Sequence, residues 1–196
     1  MPYDLVVVGA SWGGLQALGR VLSDLPDDFD LPIVIAQHRH PDSLEGTLAQ
    51  LLQRQTDRLV LEAEDKLTIE PRRVYVAPAD YHLLVEGSTF ALSVDDRVRY
   101  ARPSIDVLFE SAADAFREGV IGIILTGAND DGARGLARIK ELGGVALIQD
   151  PAAAARRAMP EAAIATTAAD AILPLEEIGA FVYDLWVRTE RAREPA

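Results

Sequence analysis

The sequence predicts an α/β fold: a doubly wound, mostly parallel sheet in a Rossmann-like three-layer arrangement, with an antiparallel β-hairpin extension at one edge. Three observations predict it. Short continuous apolar runs (Leu5–Val8, Leu31–Ala36, Val120–Leu125, Val145–Gln149) alternate with stretches of helical spacing, and such runs read as parallel strands covered on both faces. A glycine turn joins the first run to the first helix. Several runs end in polar or glycine-rich loops, where sheets of this kind gather their functional groups.

The elements follow in order. The first strand runs into Gly9-Ala10-Ser11-Trp12-Gly13-Gly14, and the helix after it, about Gly14–Leu25, sets Leu15, Leu18, Val21 and Leu22 on one face. Pro26 with Asp27, Asp28 and Asp30 ends it. The second strand ends in Gln37-His38-Arg39-His40-Pro41, and Pro41 starts an amphipathic helix capped by Asp42 or Ser43, with Leu44, Leu48, Leu51 and Leu52 inward. From Leu59 to Val98 the texture changes to short strands and turns. Val74–Pro78 is one strand, and Tyr81–Val85 with Thr89–Val94 forms the hairpin around Glu86-Gly87-Ser88. His82 reads as a structural residue there. Arg102-Pro103-Ser104-Ile105-Asp106 opens a helix to about Arg117, with Ser104 as N-cap and Asp106 in the first turn. Val120–Leu125, the most hydrophobic strand, reads as central and ends in Thr126-Gly127-Ala128-Asn129-Asp130-Asp131-Gly132. A helix to about Leu142 stops at Gly143-Gly144. The strand Val145–Gln149, a short helix from Met159-Pro160, a small strand Ala171–Leu173 and a last helix over about Leu175–Arg191 complete the chain. Residues 1–191 read as a single domain and 192–196 as a frayed tail.

Composition narrows the function. A chain of 196 residues, 49% apolar, supports one good core. The absence of cysteine excludes disulfides, thiolate metal sites and a cysteine nucleophile. A net charge of −12 repels phosphate backbones and argues against a nucleic-acid partner. No apolar run reaches the ~18–20 residues of a membrane span, so no membrane insertion is expected. The chain enters its first strand at about Asp4 with no basic-then-apolar leader apparent, so a cytoplasmic location is expected.

Gly9-x-Ser11-x-Gly13 has the spacing of a nucleophile elbow, in which a serine sits at the tip of a tight strand-to-helix turn. The new helix offers N–H groups and a positive dipole end to a developing oxyanion. A glycine-rich turn at this place also serves as a phosphate cradle. Gly9, Gly13 and Gly14 do not fit G-x-G-x-x-G, however, and the second strand ends in Gln37, His38 and Arg39 where a dinucleotide site wants an acid for the ribose. Arg39 would suit a 2′-phosphate, so a nucleotide-binding domain stays open, as does a non-catalytic signalling interaction module. Three strand ends offer Ser11, His38 and Asp131: an alcohol, a base to take its proton, and a carboxylate to fix the base's tautomer.

The chain resembles the catalytic domain of the chemotaxis receptor protein-glutamate methylesterases. The resemblance rests on Gly9-Ala10-Ser11-Trp12-Gly13-Gly14, Gln37-His38, Glu62-Ala63-Glu64-Asp65, Tyr75-Val76-Ala77-Pro78, Arg102-Pro103-Ser104-Ile105-Asp106, Leu125-Thr126-Gly127 with Asp131-Gly132-Ala133, and Ala158-Met159-Pro160, in the family's order over nearly the whole chain. It implies Ser11 as nucleophile, His38 as base and then acid, and Asp131 as orienting carboxylate. Within the pattern His38 is preferred over His40, and Asp131 over Asp130. The implied reaction is hydrolysis of glutamate γ-methyl esters, with deamidation of glutamines as a second activity, without metal or cofactor. The implied partner is the cytoplasmic helices of a methylated chemoreceptor or a related protein. Two departures stand at the cleft: Trp12 replaces a smaller threonine, and Ala128-Asn129 replaces a Met-Gly pair. The phosphorylatable receiver domain that precedes many family members is not expected here.

Overall fold

In the computed structural model, residues 3–191 are described. The expected tail, 192–196, lies outside them. Seven strands form one all-parallel sheet: β1 (Leu5–Ala10), β2 (Ile33–Gln37), β3 (Leu59–Glu62), β4 (Arg73–Val76), then, after a hairpin, β7 (Val120–Ile124), β8 (Val145–Gln149) and β9 (Ala171–Leu173), in the spatial order β3-β4-β2-β1-β7-β8-β9. The hairpin is β5 (His82–Glu86) with β6 (Thr89–Ser93). The helices are α1 (Gly14–Ser23), α2 (Thr47–Gln53), α3 (Ile105–Phe116), α4 (Ala133–Glu141), α5 (Ala158–Thr166) and α6 (Leu175–Arg191).

β1 shows why an unbroken apolar run makes a central strand. All six of its residues are buried, and successive side chains leave on opposite faces. Val6, Val8 and Ala10 enter a core that also holds Leu18, Leu22 and Leu52, while Leu5 and Val7 enter a second core with Leu108, Phe109 and Leu136. Each fully buried Val or Leu contributes about 1.5–3 kcal/mol of transfer free energy. Helices therefore cover both faces, as a parallel sheet requires.

Two expectations change in detail. The hairpin exists, but it is a sheet of its own and not hydrogen-bonded to the edge of the parallel sheet. Its outer backbone groups are taken by segment 66–69 (Lys66 N–H to Phe90 O, 2.8 Å; Ile69 N–H to Ser88 O, 2.8 Å), and Phe90 packs edge-on against Tyr75. The second helix starts at Thr47, not at Pro41. Gly46, at φ 69°, precedes it, and Leu44 is 79% exposed. Glu62 accepts the Gly46 N–H and ion-pairs with Arg39, so tertiary contacts hold residues 41–46 in turns where local spacing favours a helix.

Candidate active site

β1 is flanked by β2 and β7. From it the chain winds out through β2 to β3 at the edge and back to β4 between them on one side, then returns to β7, β8 and β9 on the other. The crevice at such a switch point, beyond the carboxyl ends of the strands, is where open α/β sheets bind ligands. Ser11, His38 and the loop holding Asp131 follow β1, β2 and β7.

Ser11 is fixed by its backbone. Its N–H donates to Thr126 O (2.9 Å), and its carbonyl accepts from Gly14 N–H (2.9 Å) and Gln37 Nε2 (2.8 Å). The turn needs its glycines for two reasons. Gly13 lies at φ 80°, where a side chain is strained. A Cβ on Gly14 would come within 2.0 Å of Gln37 Oε1. Gln37 Nε2 also donates to His38 O (3.0 Å), so one amide ties both corners. In the β1–β2 register Ala10 faces Gln37, and His38 N–H continues the ladder to Ala10 O (3.0 Å). Ser11 and His38 are the next residues out.

His38 Nε2 lies 2.7 Å from Asp131 Oδ2. Asp131 is wholly buried, at the start of α4 and against the N-terminus of α3. Its Oδ2 also accepts from Ile105 N–H (2.7 Å), and its Oδ1 accepts from Asp106 N–H (3.0 Å) and the Ser104 hydroxyl (2.9 Å). Ser104 is the N-cap of α3, its Oγ accepting from Val107 N–H (3.4 Å). A carboxylate suits this place because a helix start presents N–H groups and a positive dipole end. Burial alone would raise the Asp131 pKa. The His38 bond and the N–H groups of Ile105 and Asp106 outweigh it and hold the carboxyl below its ordinary value.

Asp106 returns the arrangement. Its Oδ1 accepts from Gly132 N–H (3.0 Å) and Gly135 N–H (2.8 Å), capping α4 from α3. Burial, with the Asp131 charge beside it, pushes the Asp106 carboxyl up, against the Gly135 N–H and the Arg134 and Arg99 charges.

With Asp131 ionised, His38 Nε2 carries the proton and Nδ1 is the free acceptor. Asn129 Nδ2 stands 3.4 Å from Nδ1. Among the described residues, the Ser11 hydroxyl makes no hydrogen bond to the imidazole. The structure thus joins His38 to Asp131 and places Ser11 at the end of the strand that adjoins the one carrying His38. His40 is a surface residue next to Asp42, and Asp130 is exposed and ion-paired with Arg99. Arg102 both borders the cleft and braces it, donating to Asp80 and to the carbonyls of Val94 and Asp95. His82 is buried, with Nδ1 accepting from Ser104 N–H (3.2 Å) and Nε2 at 3.1 Å from Asp96 O. Among the described residues, no group of three or more His, Asp or Glu is placed to hold a metal ion, and no helix is long and apolar enough to cross a membrane.

The roles of Gln37, and of Ser104 and Asp106 toward Asp131 and α4, are not in the sequence reading. The Ser104 cap was visible as a local pattern; its bond to a residue 27 positions away has no local signal.

Comparison with known proteins follows the same lines. The family model described as CheB methylesterase matches residues 6–182. The chain is 45% identical, over 97% of both lengths, to a putative protein-glutamate methylesterase/protein-glutamine glutaminase of Leptospira interrogans. It is 43% identical to the protein-glutamate methylesterase FrzG of Myxococcus xanthus, matching 95% of this chain and 55% of that protein. The crystal structure of the Thermotoga maritima CheB methylesterase catalytic domain superposes with a TM-score of 0.88 at 32% identity, covering 94% of this chain and all of that one. On sequence and fold together, the chain belongs to the CheB methylesterase family.

Proposed function

We propose that the chain hydrolyses glutamate γ-methyl esters on a protein, with Ser11 as nucleophile, His38 as general base and then acid, and Asp131 as the carboxylate that orients His38. The observation that carries this reading is the 2.7 Å bond from His38 Nε2 to a buried Asp131, one residue beyond the register pair that aligns His38 with Ser11. That bond leaves Nδ1 as the base. The Asn129 amide reaches Nδ1 only at the long end of hydrogen bonding, and substrate entry exchanges it for the Ser11 hydroxyl. Hydrogen bonds to a base are commonly loose before substrate binds.

Ser11 Oγ attacks the ester carbonyl as Nδ1 takes its proton. The imidazolium formed is stabilised by the Asp131 charge. The oxyanion is met by the N–H after the nucleophile, that of Trp12, and by the start of α1. Nδ1 then gives its proton to the departing methoxide, releasing methanol and leaving an acyl-enzyme. Water attacks the acyl carbon with its proton passing to Nδ1, and collapse restores Ser11 and frees a glutamate. An amide would follow the same path with ammonia leaving, and the relatives named glutaminases support that second activity. The substrate protein is a methylated chemoreceptor or a protein of similar build. Ser11→Ala is expected to fold as the parent does and to release no methanol from methylated receptor; full activity in that variant would end the reading.

A further inference from the structure

We propose that the cavity beside His38 takes a carboxylate-bearing segment of the substrate protein, flanking the ester, and that Arg97 and Arg99 bind it with Tyr100 at its edge. The proposal rests on the esterase reading and names what surrounds the ester. The cavity, about 210 Å³, is bordered by His38 and Asn129 on the catalytic side. Arg39, Arg97, Arg99 and Arg102 also line it, and no Asp or Glu does. In a chain of net charge −12, such a lining runs against the composition.

The four arginines divide by what their nitrogens do. Arg39 is almost buried and ion-paired with Glu62. Arg102 is committed: Nε and Nη2 to Asp80 (3.2 and 3.0 Å), Nη1 to Val94 O and Asp95 O (2.6 and 3.0 Å). Among the described residues Arg97 gives only Nη2, to the same Asp80 (3.1 Å), so one carboxylate serves two guanidinium groups. Arg99 gives Nε to Asp106 (3.3 Å) and Nη1 to Asp130. Among the described residues Arg97 Nε and Nη1 and Arg99 Nη2 have no partner, on side chains 45% and 37% exposed.

Arg99 and Tyr100 are held out on a built turn. Val98 and Ala101 exchange both backbone hydrogen bonds (3.2 and 2.8 Å), and the two residues between them lie at φ 48° and 64°. Glycine or asparagine usually fills such positions. Tyr100 at the tip is 95% exposed. An exposed aromatic–cation pair follows Ser11 directly in the chain. Trp12 is 65% exposed, and the Arg156 guanidinium lies over its ring at 5.4 Å with no carboxylate partner among the described residues. Tyr, Trp and Arg are the residues that carry protein–protein binding. A glutamate one helical turn from the esterified one lies about 6 Å from it, a spacing that sets it in a cavity adjoining the base. A nucleic acid fits less well, because the long-range field of an acidic protein repels a polyanion.

The test uses two synthetic peptides with the same central glutamate γ-methyl ester, flanked by glutamates in one and glutamines in the other. For the parent protein at low salt, kcat/KM for the acidic peptide should exceed that for the neutral one by about 10-fold, through KM, and the ratio should approach 1 as salt screens the attraction. Arg97→Gln/Arg99→Gln should bring the ratio to about 1, and Arg97→Glu/Arg99→Glu should invert it. Should the double variants not fold, because Arg99 also braces Asp106 and Asp130, Arg97→Gln alone should lower the ratio at least twofold. A ratio of 1 in the parent, or an undiminished ratio in the variants, overturns the proposal. If the parent cleaves neither peptide, the esterase reading fails, and anisotropy of the two labelled peptides with Ser11→Ala decides the docking separately: preference for the acidic peptide upholds it, equal binding overturns it. An oligothymidylate that binds as tightly as the acidic peptide overturns it as well.

Discussion

Asp131→Asn isolates what one carboxylate does for both fold and chemistry. Its oxygens serve four donors: His38 Nε2 and Ile105 N–H on Oδ2, Ser104 Oγ and Asp106 N–H on Oδ1. The new amide must face one of these pairs. Turned toward Oδ2's partners, its NH₂ meets the Ile105 N–H and forces His38 to accept at Nε2, moving the ring proton to Nδ1 and removing the base. Turned the other way, Ser104 can rotate to accept, but the Asp106 N–H faces a donor. Either pose strands a buried N–H, at about 1–3 kcal/mol, and loses the charge assistance of the remaining bonds. A destabilisation of about 3 kcal/mol follows, or a fall in Tm of roughly 6–12 °C for a chain of this size. In the first pose kcat falls by about 10⁴-fold, the known scale of a wrong-tautomer triad. Urea unfolding and methanol release from methylated receptor measure the two quantities. Activity within tenfold of the parent, at a temperature where the variant is folded, would refute the orienting role; unchanged stability would refute the four-donor account.

Three other outcomes follow. Because the folded-state pKa of Asp131 is depressed, its stabilisation is complete above the ordinary carboxylate value of about 4 and is lost as pH falls through the folded value; unfolding free energy measured at pH 3 and pH 7 should differ less in Asp131→Asn than in the parent. Gly14→Ala puts a methyl group into Gln37 Oε1 and within 2.8 Å of the Ala10 Cβ, so it should cost about 1–3 kcal/mol in denaturant unfolding and lower kcat as Gln37 releases the Ser11 and His38 carbonyls. Arg58 donates to the carbonyls of Leu25, Pro26 and Phe29 on the far side of the sheet from α3; Arg58→Met should lose about 2–4 kcal/mol by leaving them unpaired, with kcat unchanged at 25 °C.

What could be read from the sequence was whatever local spacing controls. Continuous apolar runs such as Val120–Leu125 mark strands because both faces are buried, and the hairpin showed itself through alternating runs around Gly87. The order of loops at the strand ends was readable too, and with it which residues are candidates for the site. Long-range contacts were not readable. Nothing near Pro41 tells that Glu62 will take the Gly46 N–H and hold residues 41–46 out of a helix. Nothing near Thr89 tells that segment 66–69 will claim the hairpin's edge. Gln37 appeared only as a neighbour of His38, since its bond to Ser11 spans 26 positions.

The crossed caps connect these long-range contacts to the chemistry. The N-cap of α4 is Gly132, which has no side chain to cap with, and α3 lends it Asp106; α3 in turn receives Asp131 from the α4 side. Two buried carboxylates so close cannot both be comfortable as anions, and the surroundings separate them. Asp131 gains His38 as a partner and is held ionised, whereas Asp106 is pushed up by burial and by that very charge. Neighbouring titratable groups driven apart in this way mark a division of roles. The surroundings favour the charge on the carboxylate that touches the imidazole, so in the proposed triad the same bonds that lock α3 against α4 also leave Nδ1 of His38 as the base.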